Sequence, residues 1–395
     1  MLEGAHPDRH QREDRQGAAP DVRRKLKLIT VAVVATAALA GCDVGDAQYQ
    51  STDTPLVKVT EALATVALNA DGTAQDPQPI AADGTTKIVP SASIRIRFDR
   101  FLLPASVNRQ AVCLQPDTAD VPYYTKCAKG VFLQPSYDPV RREVVLRQKP
   151  GDRLALGTVY KLTLYKAQID GDCTADSPTA CGLRAFDRMS LDAPFTALLR
   201  TVDADPGTAV DEAAPEVVFC GDKGAAVALG ATCAYGNCHG PSSGDTCIPT
   251  KAAPHPTCAE GLSFYNIQYG SFADTQETAI NRVAHQTQMG ESASTPEKTP
   301  ARFGRAMPII DAFSPGVEGN PGNSYVMYKL LVGSSIDAAP ADIKPSDAEV
   351  QRLLDSVVVG LPMPPPDPAS GPLDAEQLLN ISNWIQHGAP MTTCP

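Results

Sequence analysis

The run SIRIRFDRF, residues 93–101, alternates apolar and charged side chains with a period of two. Extended backbone sends successive side chains to opposite faces, so Ile94, Ile96 and Phe98 share one face and Arg95, Arg97 and Asp99 the other. A helix would mix the two sets on every side, so the run specifies a strand with one face against a core. VYKLTLY (159–165) repeats the device, setting Tyr160, Leu162 and Leu164 against Lys161 and Thr163. REVVLRQ (142–148) and KGVFLQP (129–135) add strand candidates, and Pro150-Gly151-Asp152 and Asp170-Gly171-Asp172 supply turns between strands. Several short strands separated by turns predict an all-β sandwich over residues 56–203. This stretch holds no histidine, and it assembles neither a nucleophile with a base nor an obvious carboxylate pair. A spacer or binding module is the default reading.

Beyond an acidic, Pro/Ala-rich linker at 204–216 the pattern changes, and residues 217–395 read as helical and loop-rich. ADTQETAINRVAHQ (273–286) and NSYVMYKLLVG (323–333) are helix candidates. SDAEVQRLLDSVVVG opens with a capping box, Ser346 to Glu349, and closes at Gly360. LDAEQLLNISNWIQHGAP has Asp374 as its cap, with Gln377 three residues on. Leu378, Ile381 and Ile385 form its apolar stripe beside Trp384, and Gly388 and Pro390 stop it. The 35 prolines and 29 glycines of the 395 residues favour short elements throughout.

The N-terminus predicts export. RRKLK (Arg23–Lys27) is a basic region, and LITVAVVATAALA (Leu28–Ala40) is a 13-residue apolar stretch, short for a membrane span and suited to a signal-peptide core. LAGC, Leu39 to Cys42, then resembles a bacterial lipobox, which implies residues 1–41 as a lipoprotein-type signal peptide and Cys42 as the lipidated first mature residue. Residues 42–55 read as a polar tether. Net charge is −11, and about −13 without residues 1–41, which argues against a nucleic-acid partner and suits a cationic protein partner.

Eleven cysteines less Cys42 leave ten in an oxidising compartment, enough for five disulfides. Cys113 with Cys127 and Cys173 with Cys181 are local pairs in the β region; Cys247 with Cys258 and Cys220 with Cys394 are candidates further on. The chemistry concentrates at CAYGNCHG, residues 233–240. Two thiols followed directly by a histidine is the arrangement for covalent haem: Cys233 and Cys238 would add to the vinyl groups and His239 would bind iron. The spacer has four residues where two is usual. Two alternatives stay open. Cys233 and Cys238 form a disulfide beside an incidental His239, or a zinc site draws on Cys233, Cys238, His239, Cys247, His255 and Cys258. Met363, between prolines in GLPMPPPDP, is the first candidate for a distal thioether ligand; His285 and Met307 are its rivals. Met327, at helical spacing with Leu330 and Leu331, reads as core, and His387 as a helix-terminal residue that suits the dipole.

Two resemblances follow. SIRIRFDRFLLPASV, GTVYKLTLYKAQIDGD and PFTALLRTVD, across about residues 92–202, resemble the bacterial Ig-like domain of S-layer and other cell-surface proteins. CHG, NSYVMYKLL, LPMPPPD and LDAEQLLNISNWIQHGA, across about residues 230–395, resemble a class I cytochrome c domain. The second departs from its pattern in the long spacer and in a Cys/Pro/Ser-rich region at roughly 242–320. Together they imply an Ig-like sandwich followed by a mainly α cytochrome c-like domain. One covalent haem c would be held by Cys233, Cys238, His239 and Met363. The chain would be a membrane-anchored electron carrier with a redox partner protein and no bond-breaking catalysis. The alternatives are a haem-free surface adhesion or scaffolding lipoprotein and a haem-bearing subunit of a larger oxidoreductase.

Overall fold

In the computed structural model of the chain, the alternation at Ile94–Phe98 becomes a strand whose three apolar residues are fully buried. The structure describes residues 55–81, 83–117, 133–148, 152–169, 173–174, 177–206, 219, 222–232, 279–282, 284, 307–312, 319–334, 343–358, 363 and 372–390. Among them are nine strands: β1 (Val59–Ala64), β2 (Gln78–Pro79), β3 (Lys87–Ile88), β4 (Ile94–Phe98), β5 (Val112–Pro116), β6 (Gln134–Asp138), β7 (Glu143–Arg147), β8 (Val159–Leu164) and β9 (Phe195–Thr201). One sheet runs β2-β1-β4-β7-β6 and the other β3-β9-β8-β5. Neighbours are antiparallel except β3 and β9. Ile94, Ile96 and Phe98 of the first sheet and Leu162, Leu164 and Leu199 of the second belong to one apolar core, each such side chain contributing about 1.5–3 kcal/mol of burial. The strand expected in KGVFLQP begins only at Gln134 and runs to Asp138. Among the described residues it is an edge strand, the position in a sheet where a proline such as Pro135 is tolerated.

The charged face of β4 is organised across strands. Arg97 lies opposite Glu61 of β1 and Glu143 of β7 and bonds both, at 2.8 and 3.3 Å. Burial pushes the Glu143 carboxyl up, and Arg95 and Arg97 pull it back. Cys173 and Cys181 are joined by a disulfide, and Cys113 is disulfide-bonded as well; its expected partner Cys127 lies outside the described residues.

Among the described residues four α-helices follow: α1 (Ala225–Thr232), α2 (Tyr325–Gly333), α3 (Asp347–Ser356) and α4 (Ala375–Gln386). In α4 both halves of the capping box form between Asp374 and Gln377, and Leu378, Ile381, Trp384 and Ile385 are buried. The chain leaves it through Gly388 and Ala389, both at positive φ, and the Trp384 indole N–H donates to the Pro390 carbonyl at 3.1 Å. In α3 only half of the expected box forms. Ser346 Oγ accepts the Glu349 N–H at 3.3 Å, but the Glu349 carboxylate is spent elsewhere. The helix expected at 273–286 is not present where the chain is described. Ile280 bridges Ile310, Asn281 has a φ of 55°, and the 279–284 and 307–310 backbones exchange ladder-like bonds. Pairing two apolar segments outweighs a modest helix propensity here, and asparagine tolerates the left-handed turn.

The sheets and helices are not separate bodies: Asp46–Pro395 form one compact unit. Residues 207–216 of the expected linker lie outside the described residues, as do residues 1–54 with the expected leader and nearly all of the tether. The helices dock on the β6–β7 turn and the segment leaving β4. Phe101 and Phe186 stand edge-on to Tyr328 of α2, at centroid distances of 6.4 and 4.9 Å. The Ser382 hydroxyl of α4 donates to Asp138 at 2.8 Å. Gly322 is required by close approach, since a Cβ there would lie 2.5 Å from the Tyr137 ring. At the centre is Arg100, 2% exposed. Its Nε donates to Glu349 of α3 at 2.9 Å, Nη1 to the Pro55 carbonyl at 2.6 Å and Nη2 to Asp187. The second Glu349 oxygen accepts the Phe101 N–H at 3.1 Å.

Removing one partner of such a buried group strands a charge. Glu349→Ala is expected to lower stability by about 3–5 kcal/mol in urea unfolding. Glu349→Gln, whose single amide oxygen keeps an acceptor for one of Arg100 and Phe101, should lose less than the alanine variant.

Candidate functional site

The approach to CAYGNCHG is α1, whose Ala225, Ala228 and Leu229 are buried and which ends at Thr232, immediately before Cys233. The sequence reading missed this helix because AAVALGAT is apolar on every side and shows no stripe; its alanines carry the propensity instead. Its start is fastened to α4: Lys223 Nζ lies 2.6 Å from Asp374 and 3.1 Å from Glu376, and Asn380 Nδ2 donates to the Lys223 carbonyl at 2.9 Å. Phe219 rests against Trp384 with ring centroids 5.9 Å apart.

Cys233, Cys238 and His239 lie outside the described residues, as do Cys42, Cys220, Cys247, His255, Cys258, His285 and Cys394. Met363 is described. It is half-buried and packs against the same apolar cluster that holds α1, α2 and α4. Its backbone is fixed on α2: the Met363 N–H donates to the Lys329 carbonyl at 3.1 Å. The chain passes so close to Gly333 that a Cβ there would lie 2.1 Å from the Met363 carbonyl oxygen. Met307, the rival, is 7% exposed in the same cluster, its carbonyl accepting the Ala284 N–H at 2.9 Å. Met327 is fully buried on α2. His387 is the C-cap residue of α4, its N–H donating to the Asn383 carbonyl at 3.0 Å. Among the described residues no cluster of His, Cys, Asp and Glu could hold a metal ion, and no helix is long and apolar enough to cross a membrane.

The sequence reading also passed over Lys329. Helical spacing places it one turn from Tyr325, and it is 3% exposed with its ammonium 6.0 Å from the Tyr325 ring centroid. Burial lowers its pKa from the ordinary 10.5 to about 8.

No protein-family model matches the chain, and no curated protein matches it. Among solved structures it is similar to the S-layer protein rSbsC(31-844), with 9% identity, a TM-score of 0.22 and coverage of 39% of this chain and 14% of that one. It is also similar to domains 1-6 of surface layer protein SbsC, with 11% identity, a TM-score of 0.22 and coverage of 47% and 18%. The chain spans under a fifth of either protein, and a likeness at this score assigns neither fold nor role.

Lys329 gives a signed prediction. Between pH 8 and 10.5 the unfolded chain holds this proton and the folded chain has released it, so the Lys329 contribution to stability should rise with pH across that window. Toward pH 10 Tyr137 and Tyr328 oppose that rise, because burial keeps their phenols neutral in the folded protein while they ionise in the unfolded chain. Lys329→Met should raise stability at pH 7 and flatten the rise between pH 8 and 9.5 in urea titrations.

Proposed function

We propose that the chain is an exported, lipid-anchored c-type cytochrome that transfers electrons at the cell envelope through one covalent haem. Its architecture would be an Ig-like sandwich carrying a cytochrome c-like helical region. The observation that supports this reading is the position of Met363: its backbone is pinned on α2 at the apolar cluster that also holds α1, the helix that ends at Thr232, immediately before Cys233 in the sequence. Two thiols, an imidazole and a thioether are the donor set that a covalent haem needs, and the fixed Met363 fits that set. When bound, the haem supplies a one-electron couple. Cys233 and Cys238 would tether it, His239 would be the proximal ligand, and a thioether at Met363 favours reduced iron and so a higher potential. Cys42 would hold the protein to the membrane, and the partner would be a second redox protein. The proposal assigns no bond-breaking chemistry.

The Cys173–Cys181 disulfide favours a second reading. If thiols of this chain oxidise in pairs, Cys233 and Cys238 are a further pair, and the protein is a haem-free surface module for adhesion or scaffolding. A haem-bearing accessory subunit of a larger oxidoreductase differs from the first reading only in its partner, and would co-purify with it.

The optical spectrum of residues 43–395, exported with c-type maturation machinery, separates these readings. The proposal predicts sharp dithionite-reduced α and Soret bands that survive acid-acetone extraction. It further predicts that Met363→Ala removes the weak near-infrared Met-to-iron band. A colourless, folded protein without free thiols would sink the proposal and leave the disulfide reading.

A further inference from the structure

Met363 stands in PMPPP, residues 362–366, where every other residue is proline. Proline has no N–H, so Met363 holds the only backbone donor of that run. The donor is spent on α2, where it reaches the Lys329 carbonyl at 3.1 Å. A carbonyl oxygen has two lone pairs, so one near a helix end can take a donor from outside the helix. Beside it the Leu330 carbonyl accepts the Ser334 hydroxyl. The last turn of α2 is closed by both.

Gly333 ends the helix where the Met363 backbone crosses it. A Cβ there would lie 2.1 Å from the Met363 carbonyl oxygen, 2.3 Å from the carbonyl carbon and 2.7 Å from the nitrogen. Carbons in contact stand about 3.5–4.0 Å apart. All three atoms are backbone, so no side-chain rotation relieves the clash. Gly333 is not at a left-handed φ, and alanine is the better helix former. Neither turn geometry nor helix propensity asks for glycine here; the space taken by Met363 does.

We propose that the end of α2 is a preformed seat for the distal ligand: the Lys329 carbonyl and the bare Cα of Gly333 fix the Met363 backbone before any iron is bound, and Gly333 is its positioning residue. This rests on the reading of Met363 as the thioether ligand. A metal–ligand distance tolerates about 0.2 Å, far less than the shift a Cβ at position 333 would impose.

The test compares Gly333→Ala with Gly319→Ala in the haem-loaded chain. A Cβ at Gly319 would lie 2.1 Å from the Ile385 carbonyl oxygen, an equal clash made against α4 and not against Met363. Gly333→Ala should keep its covalent haem, lose the near-infrared Met-to-iron band and show a lower potential, as loss of a thioether ligand requires. Gly319→Ala should lower the urea midpoint and keep the band. A second measurement needs neither variant nor haem. In the full chain made without maturation machinery, hydrogen exchange of the peptide Leu361–Pro366 reports the Met363 amide alone, since a peptide's first residue and its prolines carry no amide label. That amide should be protected in the wild type, and Gly333→Ala should speed its exchange by roughly tenfold, the loss of one hydrogen bond. A free Met363 amide in the haem-free wild type would overturn the seat, even if Gly333→Ala fails to fold. So would a band that survives Gly333→Ala, or one lost equally in a folded Gly319→Ala. A wild-type chain without covalent haem would instead overturn the electron-carrier reading, and the seat with it.

Discussion

Arg100 occupies a position where an unmatched charge would be intolerable, and three stretches of chain that are distant in sequence converge to match it. Pro55 supplies a carbonyl from the segment entering β1, Asp187 a carboxylate from the sheet region, and Glu349 a carboxylate from α3. A guanidinium has a fixed fork, so its partners must arrive in set directions. The entry of the chain, the end of the sandwich and the first turn of α3 are thereby placed relative to one another. The apolar contacts of Phe101 and Phe186 with Tyr328 add burial energy, but they are less directional. The ion network fixes the orientation in which they meet.

The consequence reaches the candidate redox site. Tyr328, which seals the junction, and Lys329, whose carbonyl holds Met363, are neighbours on α2. α1 reaches the same cluster through α4, fastened by Lys223 and by Phe219 against Trp384. A module held this way is a platform and not a pendant on a hinge. If the site carries haem, the sandwich sets its orientation toward a partner.

Much of the fold was legible because its signals are local. Alternation in SIRIRF and VYKLTL fixed which residues of β4 and β8 face the core, and the caps at Asp374 and Ser346 marked the starts of α4 and α3. What escaped was set by partners far away in sequence. Glu349 has the spelling of a capping-box residue, yet a buried arginine 249 positions earlier claims it. Ala279–Ala284 scans as helix until Ile280 finds Ile310. α1 has no polar face to give it a period, and Lys329 sits in an apolar stripe where its charge gave no warning of burial. At the candidate site the motif and Met363 were legible as chemistry. The attachment of Met363 to Lys329 and its passage over Gly333 were not, because both are backbone contacts that side-chain identity does not encode.

That the sandwich and helices share one framework is the central physical claim, and hydrogen exchange along a urea series tests it most directly. Peptides covering Ile94–Phe98 and Ala375–Gln386 report β4 and α4 separately. If Arg100 and its partners join them, the most protected amides of both will open with one free energy and one urea dependence. Exchange of α4 through its own lower-energy opening, with β4 still protected, would contradict the account and make the helices an independent domain.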